Sequence, residues 1–106
     1  MDELVQRLSV GDHPVAASRS ESAEDLKQSI DRGYVLIKFT GTRGGTELGV
    51  RLDETATDLS AADFGQATGT VHLVGNLTLN YVKVRCVADV DLATLEGKGH
   101  LEVVEE

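Results

Sequence analysis

The sequence predicts an α+β fold: one or two short N-terminal helices packed on an antiparallel β-meander of about five strands, forming a bent sheet or small barrel. Three observations predict it. Apolar residues recur at helical spacing only before Gly33, they alternate with polar residues at a period of two from Tyr34 onward, and glycine-containing turn signals separate the alternating runs. Helices first and strands afterwards argue against a parallel fold.

Leu4, Val5 and Leu8 follow the Asp2-Glu3 start at helical spacing, and Gly11 offers a stop, which predicts a first short helix. His13-Pro14 turns the chain away from helix, and residues 16–20 read as a linker or arm. One domain is expected over residues 1–106, with 1–21 as a helical appendage and linker and 22–106 as the α+β core. Ser22 and Asp25 form a capping box with aspartate in place of glutamate. Ala23, Leu26 and Ile30 then share one helical face before Gly33.

Tyr34 to Thr40 places Val35, Ile37 and Phe39 on one side of a strand. Thr46 to Leu52 places Leu48, Val50 and Leu52 on one side of the next, so the two make a hairpin. Residues 53–67 lose the alternation and read as a loop with one helical turn, started by Ser60 and Asp63 ahead of Phe64. A strand over 69–74 and a Gly75-Asn76 turn follow. Beyond them the apolar residues are odd-numbered through Leu77, Leu79 and Tyr81 and even-numbered from Val82 to Leu92. A strand cannot exchange its buried face without an extra residue, so a bulge or bend is expected near Asn80-Tyr81. Gly97-Lys98-Gly99 reads as the last turn, Leu101 and Val103 mark the final strand, and Glu105-Glu106 blunts its end.

The composition narrows the function classes. At 106 residues with 41% apolar and 26% charged residues, the chain can bury a core without metal or disulfide staples. The formal charge of −8 repels phosphate backbones and anionic headgroups, so neither a nucleic-acid nor a membrane partner is expected, whereas a basic protein partner would be attracted. The acidic start is not followed by a long apolar run, and the lone Cys86 cannot form an internal disulfide. Together these predict a cytoplasmic setting without a secretory signal or membrane helix.

Two surfaces are candidates for recognition. The loop Gly41-Thr42-Arg43-Gly44-Gly45-Thr46 offers a guanidinium, two hydroxyls and glycine-freed amides to an anion or a protein partner. It lacks the lysine and following helix of a phosphate-binding loop, and its glycines equally suit a hairpin turn. Asp53, Glu54, Asp58 and Asp63 form a candidate acidic surface on the long connection, with a plain solvated loop as the simpler alternative.

His72, His100, Asp89 and Asp91 are the residues that could assemble an acid-base pair or metal site, depending on the register of the last hairpin. If Val90 pairs with Leu101, Asp91 faces His100; if Leu92 pairs with Leu101, His100 faces Ala93 and no pair forms. No spaced metal signature or complete catalytic constellation is present, so no cofactor, metal or catalytic residue is assigned. Cys86 lies in the apolar phase and reads as a core residue, and Lys83, Arg85, Asp89 and Asp91 read as a charge-paired outer face.

The resulting expectation is a non-enzymatic accessory module that docks on a protein partner through a strand edge, the glycine loop or the acidic connection. A carrier or sensor for a small apolar ligand, with a pocket between the faces bearing Val35, Leu48, Val71 and Val84, is the alternative. An anion- or metal-dependent enzyme using Arg43 or His100 is the third reading. Edge pairing through the final strand would allow a homodimer, opposed by Glu102 and Glu105.

Overall fold

The computed structural model describes residues 3–18, 20–42, 44–79 and 81–104. Among the described residues nine elements occur in the order α1 (Glu3–Leu8), β1 (His13–Ala17), α2 (Ala23–Asp31), β2 (Tyr34–Phe39), β3 (Thr46–Leu52), β4 (Ala62–Asp63), β5 (Thr68–Leu79), β6 (Val82–Asp91) and β7 (Glu96–Val103). Six of the strands form a closed antiparallel barrel. β1 pairs with β2 and β7, β2 with β3, β5 with β6, β6 with β7, and β3 returns to β5 to complete the ring. The two-residue β4 pairs with the start of β5 outside this ring.

Strand parity explains why the expected five strands become six. In an up-and-down meander alternate strands reverse direction, so the first and last of five would run parallel. β1 supplies the sixth strand and lets every pairing be antiparallel. Its register with β2 sets Val15 opposite Phe39 and Ala17 opposite Ile37, and Val15 also faces Gly97 of β7. The segment read as a linker therefore forms a barrel strand as far as Ala17. Arg19, within the same stretch, lies outside the described residues.

The core is the barrel interior. Val15 and Ala17 of β1, Val35, Ile37 and Phe39 of β2, and Leu48 and Val50 of β3 point inward and are buried. Val71 and Leu73 of β5, Val84, Cys86, Ala88 and Val90 of β6, and Leu101 of β7 complete it. Phe39, with its side chain fully buried, is the largest. Fully burying a side chain of this kind contributes about 1.5–3 kcal/mol. The four positions assigned to an apolar ligand pocket, Val35, Leu48, Val71 and Val84, thus pack within one core rather than lining a ligand chamber, as is usual for so small a barrel.

Both helices form where their spacing predicts them. Val5 and Leu8 of α1 are fully buried, and α1 packs on β7, so the first turns of the chain belong to the core and not to an appendage. In α2 the Ser22 hydroxyl accepts the Asp25 N–H at 3.2 Å, while the Asp25 carboxylate accepts the N–H of Glu21 at 3.2 Å. This closes the capping box one residue earlier than its usual form. Ala23 and Leu26 face β2, Glu24, Lys27, Gln28 and Asp31 face solvent, and Gly33 ends the helix at a φ of 78°.

The glycines expected to mark turns have another task. Gly75-Asn76 lies inside β5, and Gly97-Lys98-Gly99 lies inside β7. A Cβ at Gly97 would stand 1.7 Å from the Asp89 carbonyl oxygen, and one at Gly99 would stand 2.8 Å from that of Val87. Absent side chains let β6 and β7 approach as the sheet coils into a barrel. The true turns lie elsewhere. Leu79 pairs with Val82, so the expected bulge is a two-residue hairpin turn, with Tyr81 at a φ of 69° and Asn80 outside the described residues. Directly opposed residues share a face, which is why the buried phase passes from odd to even numbers there. The last hairpin turns at 92–95, where the Leu95 N–H bonds to the Asp91 carbonyl at 2.7 Å.

Candidate functional site

The glycine loop joins β2 to β3 across the Phe39–Thr46 pair. Its hydroxyls are engaged within the loop: Thr42 Oγ1 donates to the Phe39 carbonyl at 3.1 Å and lies 2.7 Å from Thr46 Oγ1. Gly44 and Gly45 have φ of 75° and 78°, and Gly45 N–H bonds to the Thr42 carbonyl at 3.0 Å. A Cβ on Gly45 would also meet Lys38 Cε at 2.4 Å. The described part of the loop is thus built as a turn. Arg43, the cation proposed to act there, lies outside the described residues.

The connection from β3 to β5 does not form the expected helical turn at Ser60 to Asp63. It is strapped along β5 by mutual backbone bonds between Asp58 and His72, each 2.9 Å, and by the β4 pairing. Its carboxylates serve as turn staples. Asp53 accepts from the N–H and hydroxyl of Thr55 at 3.0 and 2.7 Å and meets Arg85 of β6 at 3.4 Å. Asp58 accepts the Ser60 N–H at 2.8 Å, and Asp63 accepts that of Gln66 at 3.1 Å. The Thr55 hydroxyl, then its N–H and more weakly Arg85, hold Asp53 below the ordinary carboxylate range; Ser60, and more weakly His72, do the same for Asp58. Glu54 is exposed. Three of the four acidic residues are therefore occupied in shaping the connection.

The histidines are placed by a register that is neither of the two expected. Cys86 pairs with Leu101, so His100 sits opposite Val87, and Asp91 opposite Glu96. Asp89 stands between Lys98 on β7 and His72 on β5, and its carboxylate lies 2.7 Å from His72 Nδ1. His100 lies 3.1 Å from Glu102 and 3.5 Å from Asp12. The Asp91 carboxylate instead accepts the Ala93 N–H at 2.8 Å. Among the described residues no three His, Cys, Asp or Glu side chains are arranged to hold a metal. The outer face of β6 is charge-paired as expected, and Cys86 is buried, its thiol pushed up to about 12 by burial. β7 is paired with β6 along its whole length and with β1 from Glu96 to Gly99, so over that half the final strand has no free edge for the expected homodimer pairing; Glu105, assigned to oppose it, lies outside the described residues.

The surface that was not legible in the sequence is the seam where the barrel closes. β3 and β5 are joined by two residue pairs, Arg51–Asn76 and Leu52–Gly75, and β5 continues past them as Leu77–Leu79. Beside this short ladder is a groove of about 650 Å³. Gly49 and Arg51 line it from β3, Leu77 and Thr78 from β5, and Lys83 from β6. Tyr34 lies across Gly49, where a Cβ would stand 1.8 Å from its hydroxyl, so glycine at this position is what allows the ring to form one wall. Such a groove needs residues brought together from four strands, β2, β3, β5 and β6, and a local hint was Gly49 in the outward phase of a strand.

No curated protein matches the chain. The family profile described as core binding factor beta subunit matches residues 15–106, from the second half of β1 through all the remaining strands. This chain therefore belongs to the core binding factor beta subunit family.

Proposed function

We propose that the chain is a non-enzymatic accessory subunit that binds one protein partner, a Runt-domain factor, and acts through that complex rather than by contacting nucleic acid itself. Family membership over residues 15–106 carries the proposal, since a beta subunit functions by association. The barrel offers a packed frame for such a role: its inward-facing residues form one core, and Arg85 of β6 ties the β3–β5 connection to its outer surface through Asp53. The charge of −8 supports a basic partner surface and opposes direct contact with phosphates. A reducing, cytoplasmic setting belongs to the same proposal, supported by the lone buried thiol.

Mixing the purified chain with a purified Runt-domain factor tests this. A one-to-one complex by sedimentation velocity and calorimetry is expected, with affinity falling as salt rises. No complex at micromolar concentrations would overturn the assignment, and a salt-independent affinity would remove its electrostatic part.

A further inference from the structure

The corner where α2 hands over to β2 holds a recess of about 340 Å³. Ser29 and Arg32 line it from the end of α2, three positions apart and therefore on one side of the helix. Gly33, at a φ of 78°, turns the chain into β2, whose outward-phase residues Tyr34 and Leu36 supply a second wall. Ser18 lines it from just past β1 and is held beside β2 by the bond from its N–H to the Leu36 carbonyl at 2.9 Å.

The lining specifies a chemistry. Among the described residues it carries one cation and no carboxylate, although acidic residues outnumber basic ones by 18 to 10 in the chain. No hydrogen bond or ion pair among those residues occupies the Arg32 guanidinium or the hydroxyls of Ser18 and Ser29, so three side-chain donor groups border one concavity unspent. Asp31, next to Arg32 in the chain, lines a separate recess with Glu54. A helix end opposes an anion through its exposed carbonyls. Here the Gln28 and Ser29 carbonyls accept the Arg32 N–H at 3.2 Å each, and the Ile30 carbonyl accepts that of Gly33 at 2.9 Å, which blunts the opposition. Charges farther than about 8 Å are largely screened at physiological salt, so the lining outweighs the net charge of the chain.

We propose that this recess binds a small phosphomonoester bearing a planar group. The guanidinium takes two phosphate oxygens, the Ser18 and Ser29 hydroxyls donate to the phosphate, and the planar group rests on Leu36 and the Tyr34 ring. Tyr34 contributes its ring rather than its hydroxyl, which is directed over Gly49. The volume lies within the range of roughly 300–1,000 Å³ typical of small-molecule sites, which leaves room for more than the phosphate itself. This site is separate from the seam groove and does not depend on the protein-binding reading above.

Phenyl phosphate titrated into the full chain, followed by amide and arginine Nε–H NMR, tests the proposal, with inorganic phosphate and phenol as comparisons. Expected are saturable binding with shifts at Ser18, Ser29 and Arg32, about tenfold weaker binding of inorganic phosphate, and no saturable binding of phenol. Arg32→Gln should weaken phenyl phosphate about tenfold and Ser29→Ala about threefold, while Tyr34→Leu should bring phenyl phosphate close to inorganic phosphate. A melting curve checks each variant. Should Arg32→Gln fail to fold, Arg32→Lys, which keeps the charge and loses the planar fork, is measured instead with a smaller loss expected. Absence of saturable binding, shifts confined to other surfaces, equal affinity for inorganic phosphate, or unchanged affinity in the folded Arg32 variant would each overturn the proposal. None of these outcomes involves the Runt-domain factor, so failure here leaves the family-based reading standing.

Discussion

A Cβ built on Gly75 would stand 2.3 Å from the main-chain oxygen of Arg51 and 2.5 Å from the Val50 side chain. The barrel closes on this contact, because Gly75 and Asn76 are the β5 residues that pair with β3. Gly75→Ala should therefore force β3 away and destabilise the fold by about 1–3 kcal/mol, the usual cost of overpacking. Gly44 is a useful contrast. It has open space around it but a φ of 75°, so Gly44→Ala should cost about 1–2 kcal/mol for backbone conformation alone. Urea denaturation of both variants, with amide shifts at Arg51 and Asn76, separates the two causes: only Gly75→Ala should disturb the seam.

The connection should weaken in acid. Asp53 and Asp58 have folded-state pKa values below the ordinary 3.8, Asp53 chiefly through the Thr55 hydroxyl and Asp58 chiefly through Ser60. A depressed carboxylate favours the folded state above its unfolded pKa, and that contribution is lost as pH falls through the folded value. Stability should thus be level above pH 3.8 with respect to these two groups and decline below it. Asp53→Asn and Asp58→Asn should each be less stable at neutral pH and show a shallower decline in acid; an acid profile identical to that of the parent chain would contradict the assignment.

Cys86 should be inert while the barrel is closed. Its thiol is buried among Val84, Ala88 and Leu101 in the interior, and burial raises its pKa to about 12, so thiolate is scarce at neutral pH. Labelling by a maleimide at pH 8 should be slow in buffer and fast in denaturing urea. Because the reagent reads barrel opening, Gly75→Ala should accelerate labelling of the native protein.

Ser22→Ala removes the hydroxyl that accepts the Asp25 N–H and should cost about 1 kcal/mol, while Ser22→Asp should retain most of the stability. Thermal unfolding followed by circular dichroism measures both.

Local signals in the sequence carried much of the architecture. Alternation from Tyr34 onward identified the buried faces of β2, β3, β5 and β6, and the Ser22 box and Gly33 bounded α2, because these depend on neighbours only a few positions apart. Closure was not legible. Nothing in Gly75 or Gly97 distinguishes a turn glycine from one facing another strand's carbonyl oxygen, since the partners Arg51 and Asp89 are set by tertiary register. β1 was missed for a related reason: a short stretch of alanine and valine after proline has weak strand preference, and pairing on both sides determines its form. The candidate surfaces followed the same division. Acidic and glycine-rich stretches were visible as composition, whereas the roles of Asp53 and Asp58 as staples and the groove beside Arg51 required the fold.

The position of β1 also orders the events of folding. β5 and β6 meet through a two-residue turn, but His13 of β1 must find Gly99 of β7 across nearly the whole chain. Chain entropy makes such a long closure slow relative to hairpin formation, so the ring is expected to shut late, after its arms exist. Val15→Ala, at the point where β1 meets both β2 and β7, should then quicken unfolding while leaving the folding rate nearly unchanged, an asymmetry that stopped-flow kinetics in urea would reveal.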